Sequence, residues 1–74
     1  MPRGTVLVAK VTKNPVSDLA LLRRHVQGVG IVLDVQLRAT RPQGGYTPCG
    51  TVSATRQVWR ELLPALAQEV NGGE

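Results

Sequence analysis

The segment GIVLDVQLRAT, residues 30–40, has the clearest pattern in the chain, and the predicted fold is built around it. Apolar side chains alternate with mostly polar ones, which is typical of a strand with one buried and one largely solvated face. The apolar set is Ile31, Leu33, Val35, Leu37 and Ala39; the other set is Val32, Asp34, Gln36, Arg38 and Thr40. We therefore predict a strand in a sheet that leaves one face open.

The residues that follow this strand predict a hairpin. The sequence RPQGG at 41–45 has the composition of a turn, because its glycines allow positive φ and Pro42 fixes its own φ. The returning segment, 46–52, contains Pro48 and Gly50, and proline cannot donate a hydrogen bond to a β-ladder. We expect 46–52 to form a short edge strand, with an irregular loop as the alternative.

The residues that precede the strand predict another strand and then a helix. Residues 4–13 are rich in valine and indicate the first strand. Asn14 and Pro15 then form a typical helix start, with asparagine as N-cap and proline at the first helical position. Gly28 provides a stop, with Arg23, Arg24 and His25 in the last turn. Apolar residues recur between these signals at spacings of three and four: Val16, Leu19, Leu22 and Val26.

The C-terminal part, from about residue 53 or 55 to 70, also has a helical pattern, which Pro64 either bends or splits in two. The order strand, helix, strand, strand, helix predicts an α+β fold. We expect a two-layer β-α-β-β-α sandwich, in which a small mixed sheet has two helices on one face and its first two strands are parallel. It would form a single domain over 1–74, with 71–74 as a frayed tail.

Composition excludes several classes of site. One cysteine, Cys49, permits neither an internal disulfide nor a zinc pattern of paired cysteines. The single cysteine fits a reducing compartment, so we expect a cytoplasmic protein. The longest apolar runs are also too short for a membrane span. No spacing brings Cys49 to His25, the only histidine, or pairs two of the five acids. We therefore predict neither an enzyme nor a metal or cofactor site.

The open sheet face suggests an interaction protein, acting as a homodimer or as an adaptor. Val6, Val8 and Val32 are the apolar residues left over once two helices cover the other face, and they form the candidate partner interface. Self-association is the simplest version, since symmetric pairs are the commonest oligomers.

Nucleic-acid binding is the alternative hypothesis, because the net charge is +4. Lys10, Lys13, Arg38 and Arg41 would contact the phosphates along one basic face. Arg56 and Arg60, one helical turn apart, form a second basic strip. Two features weigh against binding, because neither of the first two strands offers an aromatic for base stacking and Asp34 lies among the cations.

Overall fold

The computed structural model of the chain describes residues 4–72. It contains four strands, β1 (Val6–Asn14), β2 (Ser17–Val26), β3 (Gly30–Thr40) and β4 (Tyr46–Thr55), followed by one helix, α1 (Arg56–Asn71). All neighbouring strands are antiparallel, and their order in the sheet is β1-β2-β3-β4. The fold is therefore an up-and-down sheet with a C-terminal helix.

The predicted β-α-β-β-α sandwich is wrong, because the residues assigned to its first helix form β2. Asn14 caps a tight turn instead of a helix: its Oδ1 accepts hydrogen bonds from the Val16 backbone N–H at 3.0 Å and the Ser17 hydroxyl at 2.9 Å. An asparagine side chain that bonds backbone two residues ahead is a common turn former, and Pro15 fits the same turn. Consequently β1 and β3 are not parallel neighbours, and only one helix remains.

Tertiary pairing explains why β2 overrides its helical pattern. Leucine, alanine and arginine are good helix formers, but propensity is a weak prior that context overrides. β2 is central, so both of its edges bond to other strands. Its ladder with β3 runs without a register shift from Ser17 opposite Ala39 to Val26 opposite Gly30.

The predicted strand at 30–40, the hairpin turn and the edge position of the returning strand are confirmed. Gly44 and Gly45 have positive φ, and Gly44 N–H donates to the Arg41 carbonyl at 3.0 Å. β4 is longer than 46–52, and its ladder shifts register beside Pro48, where the strand lacks a donor. The irregular-loop alternative is therefore wrong.

The C-terminal helix is confirmed as one continuous element that contains Pro64, so the split into two helices is wrong. Thr55 is its N-cap, and its hydroxyl accepts from the Val58 N–H at 3.3 Å. Of the predicted tail, Asn71 is the last helical residue and Gly72 the C-cap, while 73 and 74 lie outside the described residues.

The molecule is a thin plate with almost no enclosed core. Its extents are 41 × 38 × 16 Å and its radius of gyration is 14.1 Å, whereas a compact chain of this length has about 11.3 Å. Among the described residues only two hydrophobic side chains, Ala20 and Val32, are buried. The sheet therefore lacks the second layer that normally covers an apolar face.

Candidate interaction surface

The strand register sorts the side chains of the sheet onto two faces, since directly opposite residues in antiparallel strands point to the same side. The first, here called the polar face, carries Asp18, Arg24, Asp34, Gln36 and Arg38 on the two central strands, with Lys10, Thr12, Tyr46, Thr51 and Ser53 on the edges. The second, here called the apolar face, carries Leu19, Leu21, Ile31, Leu33, Val35 and Leu37 in the centre, with Val6, Ala9, Val11, Val52 and Ala54 on the edges. The polar residues that share this face on β2 lie toward the ends of that strand: Ser17, Arg23 and His25.

The polar face is covered by its own long side chains. At one end the Arg38 guanidinium donates from Nε to Asp18 Oδ1 at 2.8 Å and from Nη2 to Oδ2 at 3.4 Å. The same guanidinium lies 4.0 Å from the centroid of the Tyr46 ring, close enough for a cation–π interaction. Asp18 and Arg38 are both buried as a result.

A second ion pair lies at the other end of the polar face. Arg24 donates from Nε to Asp34 Oδ2 at 2.8 Å and from Nη2 to Oδ1 at 3.3 Å. Arg24 is directly opposite Val32, so the pair with Asp34 is diagonal across the ladder. Between the two ion pairs, the Gln36 amide donates to Thr51 Oγ1 at 3.1 Å. In the described part of the chain, every buried side-chain nitrogen or oxygen has a hydrogen-bond partner.

Both ion pairs favour the charged forms of their members. The hydrogen bonds from Arg38 lower the pKa of Asp18 against the opposing effect of burial, and those from Arg24 do the same for the pKa of Asp34. The pKa values of Arg24 and Arg38 are raised, first by the hydrogen bonds to their carboxylates. The polar face is therefore electrostatically satisfied within the chain.

The apolar face has no comparable cover. None of its leucines, isoleucine and valines is buried, and Val52 keeps 62% of its surface exposed. Leu19, on a central strand, is also exposed. Within the described chain α1 packs only beside β3 and β4, so the half of this face on β1 and β2 has no second layer.

The first turn of the helix is held beside β3 and β4 by two features. No loop residue separates β4 from α1, since Thr55 is both the last strand residue and the N-cap. One turn further on, the Trp59 indole N–H donates to the Leu33 carbonyl at 2.8 Å. Every described side chain of α1 except Trp59 is exposed, including the large apolar ones: Val58, Leu62, Leu63, Leu66 and Val70.

The candidate partner residues from the sequence are not brought together. Val32 retains only 6% exposure because it lies on the polar face between Arg24 and Thr55. Val6 lies opposite Arg23 on the apolar face, and Val8 is at a register irregularity of β1; both are exposed. Only the two β1 valines are therefore accessible to a partner.

The candidate nucleic-acid residues also fail to form one patch. Arg38 is buried against Asp18, and Lys10, on the same face, is two strands away on β1. Lys13 is exposed near the end of β1. Arg41 donates from Nε and Nη2 to Thr47 Oγ1, at 3.1 and 2.6 Å, in the hairpin between β3 and β4. Arg56 and Arg60 lie apart from these on α1, where they line a shallow groove with Val29 and Ile31.

Sequence reasoning missed the apolar face and the exposed apolar side chains of α1 as candidate contacts, because two helices were expected to cover one face. The alternation within residues 17–26 was the available signal. Asp18, Ala20, Leu22, Arg24 and Val26 alternate with Ser17, Leu19, Leu21, Arg23 and His25. The charges of the first set complement Arg38 and Asp34, which identifies the pairing of the two strands.

The described residues contain no cluster of three or more potential metal ligands, and no helix among them is long and apolar enough to cross a membrane. Cys49 is exposed, with its Sγ 3.6 Å from the Thr47 carbonyl. His25 lies opposite Ile31, about 20 Å along the sheet from Cys49 at the 3.4 Å rise of a strand. Comparison with protein-family models, curated proteins and solved structures gave no match.

Proposed function

We propose that this chain is an interaction protein whose working form is a homodimer joined through the apolar face. One observation carries the proposal: the polar face is covered and neutralised by its own side chains, whereas the apolar face has no cover. Contiguous apolar surface of this kind marks a contact site in small proteins. A second copy supplies the missing layer without requiring any other molecule.

The accessible surface area supports a contact of dimer size. The chain has 5669 Å² of accessible surface at a mass of 7.9 kDa, whereas a folded monomer of that mass has about 4,400 Å². The excess of about 1,250 Å² is more than the roughly 800 Å² that each partner loses in a standard interface. Burying this excess would bring the surface of each copy to the level of an ordinary folded protein.

Nucleic-acid binding has less support, because the central cation of the predicted basic face, Arg38, is buried in an ion pair. A buried, paired guanidinium cannot contact a phosphate without giving up its carboxylate. We also propose a cytoplasmic location, where the exposed thiol of Cys49 would stay reduced.

A matched pair of variants on β4 tests the proposed function. Val52 lies on the apolar face and Thr51, its neighbour, on the polar face; both are exposed, so lysine fits either position in a monomer. Light scattering on a size-exclusion column should give the unmodified chain a mass of about twice 7.9 kDa. Val52→Lys should weaken the dimer about 100-fold, because two charges enter the interface at about 1.4 kcal/mol each, while Thr51→Lys should dimerise normally.

The same column run at low and moderate salt, with the absorbance ratio at 260 and 280 nm, separates the two hypotheses. A salt-independent dimer free of nucleic acid is expected. A salt-sensitive species that carries nucleic acid would favour the basic face. Equal behaviour of Val52→Lys and Thr51→Lys would refute an interface on the apolar face.

A further inference from the structure

The helix leaves most of the sheet from which it emerges uncovered, because it packs beside β3 and β4 and does not extend over β1 or β2. A chain that turns from a strand onto the face of its own sheet normally uses a connection of about 2–6 residues. Here the strand ends at Thr55 and the helix begins at Arg56. The hydrogen bond from Trp59 to the Leu33 carbonyl also fixes the first turn of α1 beside β3.

The rest of α1 nevertheless has the pattern of a helix that packs on a sheet. Trp59, Leu62, Leu63, Leu66 and Val70 follow the i, i+3, i+4, i+7, i+11 spacing of one stripe. Gln57, Glu61 and Gln68 lie on the opposite side. Leu62 and Leu66 each keep 50% of their surface exposed, and Leu63 keeps 48%. The molecule therefore has an uncovered apolar helix stripe as well as an uncovered apolar sheet face.

We propose that in the dimer α1 of each copy lies on the apolar face of the other copy. The dimensions fit: a helix of 16 residues is about 24 Å long, and a strand of 10 residues is about 34 Å long. A two-fold symmetric exchange covers both helix stripes and both sheet faces at once. Contact between the two sheets alone would leave both helix stripes in water.

This inference rests on the proposed function, and a second matched pair of variants separates the two. Leu66 lies on the apolar stripe and Gln68 on the opposite side of α1; both are exposed. We expect Leu66→Glu to weaken the dimer about 100-fold, for the same reason as Val52→Lys. Gln68→Glu adds the same charge to the same helical turn and should leave the dimer unchanged.

Mixing Leu66→Glu with Val52→Lys then tests whether helix and sheet are the contacting partners. A mixed dimer has one unaltered helix–sheet contact, and its other contact carries charges of opposite sign. Each variant alone has an unpaired charge in both contacts. We expect the mixed dimer to be at least about tenfold tighter than either variant alone, and its recovery would also show that both variants can fold.

Three results would contradict the inference. If Val52→Lys dissociates the dimer and Leu66→Glu does not, the apolar face is the interface but the helix does not cover it. If both dissociate it and mixing recovers nothing, the helix contacts something other than the sheet. If Val52→Lys has no effect, the proposed function fails and this inference fails with it.

Discussion

A longer connection between β4 and α1 should convert the dimer into a monomer. The perturbation is an insertion of about five glycine and serine residues between Thr55 and Arg56, within the usual length of a strand-to-helix connection. Such a linker lets α1 turn back onto the apolar face of its own sheet. The contact that we propose between two copies then forms within one chain.

The magnitude follows from comparing one exchanged dimer with two closed monomers. Covering the exposed half of Leu62, Leu63 and Leu66 is worth about 1 kcal/mol for each, but this gain is the same in both forms and cancels. The difference is the effective concentration of a linked helix, about 1 mM for a short flexible linker. At a chain concentration of about 10 µM, this favours the closed monomer about 100-fold.

The loss of a hydrogen bond opposes closure and reduces this preference for the closed monomer. Closing the helix breaks the bond from Trp59 to the Leu33 carbonyl in each of the two monomers, at about 1 kcal/mol each, or about 25-fold together. The two closed monomers should still be favoured, by about fourfold, so most chains should be monomeric.

Light scattering at about 10 µM, with far-UV circular dichroism as a check on folding, measures the outcome. The control carries the same insertion between Gly44 and Gly45, in the exposed β3–β4 turn, and should remain a dimer. A linker variant that stays dimeric at this concentration, while folded, would refute the claim that helix exchange holds the two copies together.

Three further predictions concern stability. The pKa values of Asp18 and Asp34 are lowered in the folded state. The stability that these two carboxylates contribute is therefore present above the unfolded pKa of about 3.9 and is lost as pH falls through the folded values. At pH values below about 4 the urea concentration at the unfolding midpoint should decrease, and this decrease should be smaller in D18N/D34N. Trp59→Phe removes the indole donor and should cost about 1 kcal/mol in urea unfolding; an unchanged midpoint would mean that the bond does not hold the helix. Pro64→Ala should raise the stability by up to about 3 kcal/mol, because proline is unfavourable inside a helix, and a lowered melting temperature would contradict this reason.

The sequence could predict the elements whose residues fit only one type of structure. The alternation at 30–40, the glycines after Pro42 and the long apolar pattern after Thr55 each have one dominant structural interpretation. They predict β3, its turn and α1, and the structure contains all three.

β2 was not predictable in the same way, because its residues fit two periodicities. Leu19, Leu22 and Val26 fit a helix, and Asn14-Pro15 is a good start for a helix as well as for a turn. Whether these residues form a helix or a strand depends on ladders to β1 and β3 and on ion pairs to residues 10 to 20 positions away. Local sequence does not contain that information.

The candidate interface depended on the same error. With two helices assigned to one face, Val32 was predicted to be open to a partner, but it lies beside Arg24 on the self-covered face. The sequence predicted that Lys10 and Arg38 share a basic face, but it could not show that Asp18 of β2 lies between their strands and pairs with Arg38.

The most direct test of the exchanged dimer is a nuclear Overhauser measurement on a mixed sample, in which one copy is isotope-labelled and the other is not. Magnetisation that passes between copies reports protons within about 5 Å of each other. In an exchanged dimer we expect transfer from the leucine methyls of α1 in one copy to the methyls of Val35 and Leu37 in the other. Transfer between sheet residues only, or no transfer between copies, would contradict it.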